Sequence, residues 1–223
     1  MKNFDPTAQF LQGLQRLNIP VTQAGIDRLI RYFHELRKWG RQINLVGKKA
    51  DGRQIVENHF LDSLTLLPSL AGAKSHLLDI GTGAGFPGLA CRAVMDDLQL
   101  TLVEPRKKRV DFLLHMIRTL GLDDVRVLEC RIEDEKMIPS DGDFTHITSR
   151  GVAEIDILLK MAERFAVIRP KLICMKGPRW KEEIDSCKEF PGSSPYTLSE
   201  VVTHRLPFSG AERALLLFET IEK

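Results

Sequence analysis

The sequence has little cysteine and no long apolar stretch, and these absences exclude several classes of protein. Its four cysteines, Cys91, Cys130, Cys174 and Cys187, are scattered, without a Cys-x-x-Cys pair or a Cys/His cluster. Neither a disulfide framework nor a metal site is therefore expected. No apolar run approaches the roughly 20 residues that cross a membrane, and the first residues lack the apolar segment of a secretory signal. We expect a cytoplasmic protein that does not enter a membrane.

Net charge is also low, at +2, so no basic field over the whole protein indicates a nucleic-acid partner. The charge is unevenly spread, however. Residues 1–70 contain ten basic and six acidic residues, and the stretch from Arg28 to Arg53 contains eight basic and two acidic ones. Two interpretations stay open for this basic segment, namely a solvated helix face or a surface that contacts phosphates.

The length of 223 residues suits one large domain or a core domain with an appendage. Residues 1–70 show helical periodicity only: Asp5-Pro6 and Thr22 are typical of helix starts, and a third helix is predicted from Arg53 to Leu67. A junction is predicted at residues 71–74. The expected organisation is a helical N-terminal region, residues 1–70, followed by a core domain, residues 71–223.

The core domain alternates strands and helices. The predicted strands are 76–80, 99–104, 125–128, 144–148 and 171–175, followed by a hairpin of 196–206 and 214–221; the predicted helices are 87–96, 106–120, 152–167 and 180–190. This order predicts an α/β fold, a seven-stranded and mostly parallel sheet with a C-terminal antiparallel hairpin. A ligand is then expected at the carboxyl ends of the strands.

The most informative stretch is the glycine turn from Asp79 to Gly88, which follows a short apolar strand and precedes a helix. Glycines at 81, 83, 85 and 88 allow a tight turn whose backbone can approach a ligand. Strand, glycine turn and helix form a nucleotide-binding layout. The same glycines satisfy the G-x-G-x-x-G pattern of dinucleotide sites, which is weak by itself. Glu104 closes the next strand, where its carboxylate can bind the ribose hydroxyls of NAD or of S-adenosylmethionine equally well.

Two features favour S-adenosylmethionine over NAD. The Asp79 carboxylate beside the turn suits a cationic ligand tail and would repel a pyrophosphate. In addition, the predicted hairpin leaves no residues for the separate substrate domain that dinucleotide dehydrogenases normally carry. Asp79 has an alternative role, however, because its side chain is also suited to capping the turn.

Asp79-x-Gly81-x-Gly83-x-Gly85 with Glu104 resembles the class I S-adenosylmethionine-dependent methyltransferases. More specifically, the chain is similar to the ribosomal RNA small subunit methyltransferase G family, also called glucose-inhibited division protein B. The matching stretches are Asn44-Leu45, His59-x-x-Asp62-Ser63, Asp79 to Gly88, Lys108-Arg109 to Leu113, Ser149-Arg150, Lys176-Gly177 and Glu212-Arg213. The resemblance implies methylation of N7 of a guanine in small-subunit (16S) rRNA, either as naked RNA or within the 30S particle.

The resemblance also implies which residues form the donor pocket: Gly81, Phe86, Glu104, Ile132, Glu133 and Arg150. In this pocket Gly81, Gly83 and Gly85, next to Asp79, would let the backbone approach the methionine moiety, and Phe86 would form an apolar wall. Glu104 would hold the ribose. Ile132 and Glu133 would read the adenine edge through a main-chain N–H and a side-chain acceptor.

The chemistry implied by the resemblance needs no general base, because N7 of a neutral guanine already carries a free lone pair. The enzyme then has to align the reactants and provide a suitable field. Thr148-Ser149-Arg150 lacks the Asn/Asp-Pro-Pro-aromatic signature used on exocyclic amines, and Cys174 lacks the Pro-Cys context of cytosine methyltransferases. Arg150, Lys176 and Arg213 are the predicted catalytic residues. With Arg179, they are expected to form a basic rim for phosphate contacts.

Two other functions stay open on the sequence. One is a class I methyltransferase that acts on a protein or a small molecule. The other is a non-enzymatic nucleotide-binding protein of the same fold, since a fold does not by itself determine a function. We expect a monomer, because nothing in the sequence requires a larger assembly.

Overall fold

A seven-stranded mixed sheet forms the centre of the molecule. The computed structural model describes residues 4–47, 50–71, 74–187 and 194–221, and all strand and helix statements refer to these ranges. The strands are β1 His76–Ile80, β2 Gln99–Val103, β3 Val125–Leu128, β4 His146–Arg150, β5 Lys171–Lys176, β6 Tyr196–Arg205 and β7 Glu212–Thr220. Their order across the sheet is β3-β2-β1-β4-β5-β7-β6, and only β7 runs against the others.

This arrangement confirms the predicted α/β fold with its C-terminal antiparallel hairpin. The strand order reverses between β1 and β4, which are direct neighbours, so a crevice for a ligand lies outside their carboxyl ends. Several strand bounds differ from the prediction by one or two residues; β4, for example, begins at His146 and reaches Arg150. Phe144, predicted to open the strand, instead packs its ring against His76 and Phe165.

Short helices surround the sheet. Their bounds are α1 Thr7–Arg16, α2 Gln23–Trp39, α3 Gly52–Ile55, α4 Asp62–Leu64, α5 Leu67–Leu70, α6 Gly88–Arg92, α7 Lys107–Leu120, α8 Ile155–Glu163 and α9 Trp180–Ser186. As predicted, the Thr22 side chain caps α2, where it accepts a hydrogen bond from the Gly25 N–H at 3.2 Å. The predicted helices over 152–167 and 180–190 are shorter than expected. The first continues as the 3₁₀ helix Arg164–Ile168, and residues 188–190 lie outside the described ranges.

The predicted third helix is interrupted rather than continuous. A π-helix, Val56–Leu61, joins α3 to α4 and widens the turn that carries His59. π turns of this kind occur often at functional sites. The irregularity therefore draws attention to a stretch for which the sequence predicts an ordinary helix.

The N-terminal helices share a hydrophobic core with one face of the sheet. Fully buried Phe33 and Phe60 belong to the same cluster as Leu100, Phe112 and Leu215, which come from the sheet and α7. A second cluster fills the opposite face and includes α8. Apolar burial of this extent is the main stabilising contribution in a folded domain. The helices of residues 4–70 are thus packed onto the sheet, while a boundary at residue 71 stays a prediction.

The turn between β6 and β7 is held against the N-terminal helices by a clasp of hydrogen bonds. Buried Glu57 accepts two of them at Oε1, from the main-chain N–H groups of Phe208 at 2.7 Å and Ser209 at 2.8 Å. Arg16 donates a third, at 2.7 Å, to the carbonyl of Pro207. This clasp brings the hairpin turn, near the carboxyl edge of the sheet, into contact with the π-helix.

None of the described helices is both long and apolar enough to cross a membrane.

Candidate functional site

The glycine turn lies at the crevice between β1 and β4. Gly81, Gly83 and Gly85 have φ angles of +68°, +63° and +91°, a region that side chains disfavour. The requirement is strictest at Gly85, because a Cβ atom there would overlap the Tyr32 hydroxyl group. The turn thus has the tight, backbone-lined form that the sequence predicted.

Asp79 organises this turn from within the protein. Its side chain is fully buried, and Oδ2 accepts hydrogen bonds from the Thr82 hydroxyl at 2.7 Å and from the Gly88 N–H at 2.8 Å. Burial raises the pKa of this carboxyl to about 6. The geometry therefore agrees with the alternative role, in which Asp79 caps the turn. Contact between Asp79 and a cationic donor tail stays a prediction.

Glu104 connects the end of β2 to the glycine turn. Its carboxylate is buried and accepts hydrogen bonds from the Gly83 N–H at 3.1 Å and from the Arg106 N–H at 2.9 Å. The Arg109 guanidinium lies 3.5 Å from Oε2. Glu104 is thus fixed directly beside the turn. The predicted contact with a donor requires the ribose to lie next to this carboxylate.

Tyr32 of α2 supports the turn from the N-terminal region, a role that no motif in the sequence indicates. Its hydroxyl donates a hydrogen bond to the carbonyl of Ala84. Its ring stacks on Phe86 with an interplanar angle of 3° and a centroid distance of 5.5 Å. Phe86 also meets the edge of Phe60 at 4.9 Å. Phe86, predicted to form an apolar wall, is therefore part of an aromatic stack that fixes the turn.

The two residues predicted to read the adenine edge follow β3, as expected. Ile132 is buried in the second hydrophobic cluster, and its carbonyl accepts a hydrogen bond from Arg164 at 2.8 Å. Glu133 is exposed, so a ligand can reach its carboxylate. Their contact with a donor stays a prediction.

Arg150, the last residue of β4, links the glycine turn to the π-helix. Its guanidinium lies 5.4 Å from the centre of the Phe86 ring and donates a hydrogen bond to the carbonyl of Asn58 at 3.0 Å. It also forms an ion pair with Asp62 Oδ2 at 3.1 Å. Nearby His59 is mostly buried, and burial together with the Arg150 charge lowers its pKa to about 4, so its ring is neutral at pH 7.

A cavity of about 360 Å³ opens beside Arg150 at the carboxyl edge of the sheet. Lys176 closes β5 and pairs with Ala214 of β7, so Arg213, at the start of the antiparallel strand, reaches the same edge. The three predicted catalytic residues all line this cavity, along with Asp62, Glu183 and His204. The geometry therefore agrees with the hypothesis that Arg150, Lys176 and Arg213 converge at one place.

The cavity differs from the expected basic rim because its cations are paired. Asp62 contacts two of them, Arg150 and the Arg213 Nε, the latter at 3.4 Å. Lys176, whose side chain is only 7% exposed, donates hydrogen bonds to Glu183 Oε2 at 2.6 Å and to the Ala153 carbonyl at 2.8 Å. Two carboxylates and three cations thus line the cavity, so most of its charge is compensated and it is suited to a polar ligand rather than to phosphate alone. Arg179, predicted to join the rim, is exposed at the start of α9.

Part of the basic N-terminal segment makes contacts inside the protein. Arg28 pairs with Asp96 at 2.5 Å, and Arg31 donates a hydrogen bond to the Thr119 carbonyl at 3.2 Å. Arg37, Arg41 and Arg53 are exposed, and Lys48 and Lys49 lie outside the described ranges. A phosphate-contacting role for this segment stays a prediction.

Within the described ranges, no group of three His, Cys, Asp or Glu side chains is arranged to hold a metal ion.

The sequence of this chain is similar to those of known proteins. The profile of a family described as rRNA small subunit methyltransferase G matches residues 25–214. A ribosomal RNA small subunit methyltransferase G of Desulfotalea psychrophila is 47% identical over 96% of this chain and 99% of its own length. The protein of the same name from Syntrophus aciditrophicus is 32% identical over 94% of this chain and 87% of its own length.

Solved structures resemble the fold at much lower sequence identity. A ribosomal protein L11 methylase from Lactobacillus delbrueckii subsp. bulgaricus has a TM-score of 0.53 at 13% identity, over 74% of this chain and 79% of its own. MtNAS in complex with MTA and tNA has a TM-score of 0.58 at 14% identity, over 88% of this chain and 72% of its own. At such identities the likeness concerns the fold alone.

Proposed function

Because this chain belongs to the ribosomal RNA small subunit methyltransferase G family, we propose that it transfers a methyl group from S-adenosylmethionine to N7 of a guanine in 16S rRNA. The observation that carries the proposal is the position of Arg150. Its guanidinium covers Phe86 of the glycine turn and also lines the charged cavity. A donor at the turn and an acceptor in the cavity would therefore meet beside one residue.

The residues around the turn fit the donor. The backbone of Gly83 is open to a close approach, because a Cβ atom there would meet nothing closer than the Arg109 guanidinium at 3.7 Å. At Gly81 the corresponding position lies 2.5 Å from the Val152 side chain, so the absence of a Cβ atom there serves packing. Glu104, fixed beside Gly83, would accept hydrogen bonds from the ribose hydroxyls, and exposed Glu133 would face the adenine. S-adenosylmethionine supplies a methyl group on a positively charged sulfonium. Asp79 holds the turn in shape through its bonds to Thr82 and Gly88.

The protein then contributes alignment and a suitable electrostatic field. Guanine N7 needs no deprotonation before attack, and neutral His59 beside Arg150 is not required as a base. Orientation of two reactants and a preorganised polar environment can account for large rate enhancements. Arg150 is the residue best situated to hold both reactants, because it contacts the aromatic stack under the turn and lines the cavity.

Small-subunit rRNA, as naked RNA or in the 30S particle, is the proposed partner. Exposed Arg37, Arg41 and Arg53 would contribute phosphate contacts, which strengthen binding and make it sensitive to salt. A monomeric state and a cytoplasmic location remain our predictions, to be measured by sedimentation and by fractionation of cells.

The test is transfer of labelled methyl groups from S-adenosylmethionine to 30S particles, naked 16S rRNA and a ribosome-free protein extract. We expect label in the RNA, at a guanine whose N7-methyl group makes the chain cleavable after reduction and aniline treatment. Label in the protein extract alone would refute the proposal and would favour the protein-methyltransferase alternative. Separate calorimetry with S-adenosylmethionine and NAD distinguishes the two classes of nucleotide ligand.

A further inference from the structure

The cavity beside Arg150 has a suitable size for one nucleobase. Its volume of about 360 Å³ lies within the range of roughly 300–1,000 Å³ that is usual for small-molecule pockets. The lining includes the buried Asp62 side chain, 7% exposed, whose Oδ1 lies 3.4 Å from the Arg213 Nε but accepts no hydrogen bond from the described residues. A buried carboxylate oxygen held by one long ion pair leaves an acceptor position that a ligand or water would complete.

The proposed reaction requires the cavity to recognise guanine and to stabilise a developing positive charge. When guanine N7 attacks the methyl group, the positive charge of the sulfonium moves onto the purine ring. The Watson–Crick edge of guanine carries two donors, N1–H and the N2 amine, whereas adenine presents an unprotonated N1 there. A carboxylate that accepts hydrogen bonds from this edge would therefore distinguish guanine and stabilise the developing charge.

Two carboxylates line the cavity, and they differ in accessibility. Asp62 is almost completely buried between the guanidinium groups of Arg150 and Arg213. Glu183, in contrast, keeps 30% of its side-chain surface exposed, so a ligand can reach it. Lys176 fixes Glu183 by a 2.6 Å contact to Oε2 and is itself anchored on the Ala153 carbonyl. Glu183 is thus both preorganised and available.

We propose that Glu183 accepts hydrogen bonds from the Watson–Crick edge of the target guanine and so determines the selectivity of the enzyme for guanine. This inference rests on the proposed function. Lys176, predicted from the sequence as a catalytic residue, then acts as a positioning residue that holds Glu183. Asp62 holds Arg150 and Arg213 in the lining of the same cavity.

The test compares methyl transfer to small-subunit particles that carry, at the mapped target position, either guanine or inosine introduced by splinted ligation. Inosine retains N7 and N1–H but lacks the N2 amine. For the wild-type enzyme, we expect kcat/KM to fall about 10- to 100-fold on inosine, as befits the loss of one hydrogen bond to a charged group. Glu183→Ala, which leaves no acceptor, should lower kcat/KM on guanine by a similar factor and should reduce the ratio of guanine to inosine to near one. Glu183→Gln retains a neutral acceptor oxygen and should reduce this ratio in part.

The matched control is Glu182→Gln, which removes an exposed carboxylate from the same helix outside the cavity lining. It should behave as wild type. Calorimetry with S-adenosylmethionine shows that each variant retains a folded donor site. If Glu183→Gln and Glu183→Ala keep the wild-type ratio of guanine to inosine, the inference is wrong while the proposed function stands. If the wild-type enzyme does not methylate guanine-containing particles at all, both are wrong.

Discussion

Replacement of Asp62 by alanine should destabilise the whole protein, because this one carboxylate holds two arginines. Its side chain is 7% exposed, and those of Arg150 and Arg213 are 17% and 19% exposed. Removal of one partner from a buried ion pair costs about 3–5 kcal/mol, since the remaining charge is left without compensation. Water reaches both arginines in part, so we expect a loss of about 2–4 kcal/mol in the free energy of unfolding.

Urea denaturation followed by circular dichroism measures this loss. With a slope of about 2 kcal/mol per M, the midpoint should fall by roughly 1–2 M. Asp62→Asn retains an acceptor oxygen and should lose less. The double variant Asp62→Ala/Arg213→Ala should be more stable than the sum of the single effects predicts, because the second change removes a charge that the first one stranded. Asp185→Ala, an exposed acid of α9, serves as the control. A midpoint for Asp62→Ala within about 0.3 M of wild type would refute the reasoning.

Three further predictions concern the donor side of the site. Tyr32→Phe leaves the Ala84 carbonyl without its donor and should weaken S-adenosylmethionine binding about 5- to 10-fold in calorimetry; an unchanged Kd would show that the turn keeps its shape without this bond. Glu104→Gln should raise the Kd about 10- to 100-fold, since ribose hydroxyls lose a charged acceptor, and a Kd equal to wild type would exclude Glu104 from the pocket. His59 titrates at about pH 4 when folded but near 6.5 when unfolded, so acidification below pH 6.5 adds a proton to the unfolded chain only. Its contribution should therefore lower the free energy of unfolding by up to about 1.4 kcal/mol per pH unit between pH 6.5 and 4. Unfolding measurements from pH 7 to 4.5 should show this dependence as a difference in stability between wild type and His59→Gln. A difference that does not vary with pH would contradict it.

The succession of strands and helices along the chain and the glycine turn could be predicted from the sequence because each rests on local signals. Alternation of apolar strands and amphipathic helices determines the sheet, and glycine spacing between 81 and 88 determines the turn. Asp79 shows the limit of this reasoning. A carboxylate next to a glycine turn suits either a cationic ligand or a cap, and only the bonds to Thr82 and Gly88 reveal that it caps the turn.

The roles of Tyr32 and Glu183 could not be predicted from local patterns. Tyr32 has the helical spacing of an ordinary core residue, and its hydroxyl reaches a carbonyl 52 positions away in the sequence. Glu183 stands in a polar segment among other acids, where nothing marks it as the partner of Lys176. The ion pairs of Lys176 and Arg213 could not be predicted either. Their positions at the ends of strands predict that both lie at the ligand edge, but the carboxylates that pair with them come from α4 and α9.

The clasp between Glu57 and the β6–β7 turn has a consequence for how the protein is made. Two of its three hydrogen bonds join residues 151 and 152 positions apart, so the π-helix leaves the ribosome long before the hairpin that completes it. Domains generally begin to fold from the N-terminal side during synthesis, but the cavity needs Asp62 from the early part and Arg213 from the late part. A nascent chain that already displays the glycine turn therefore still lacks the complete cavity that we propose for the acceptor. Methyl transfer by this enzyme should begin only after translation has passed β7.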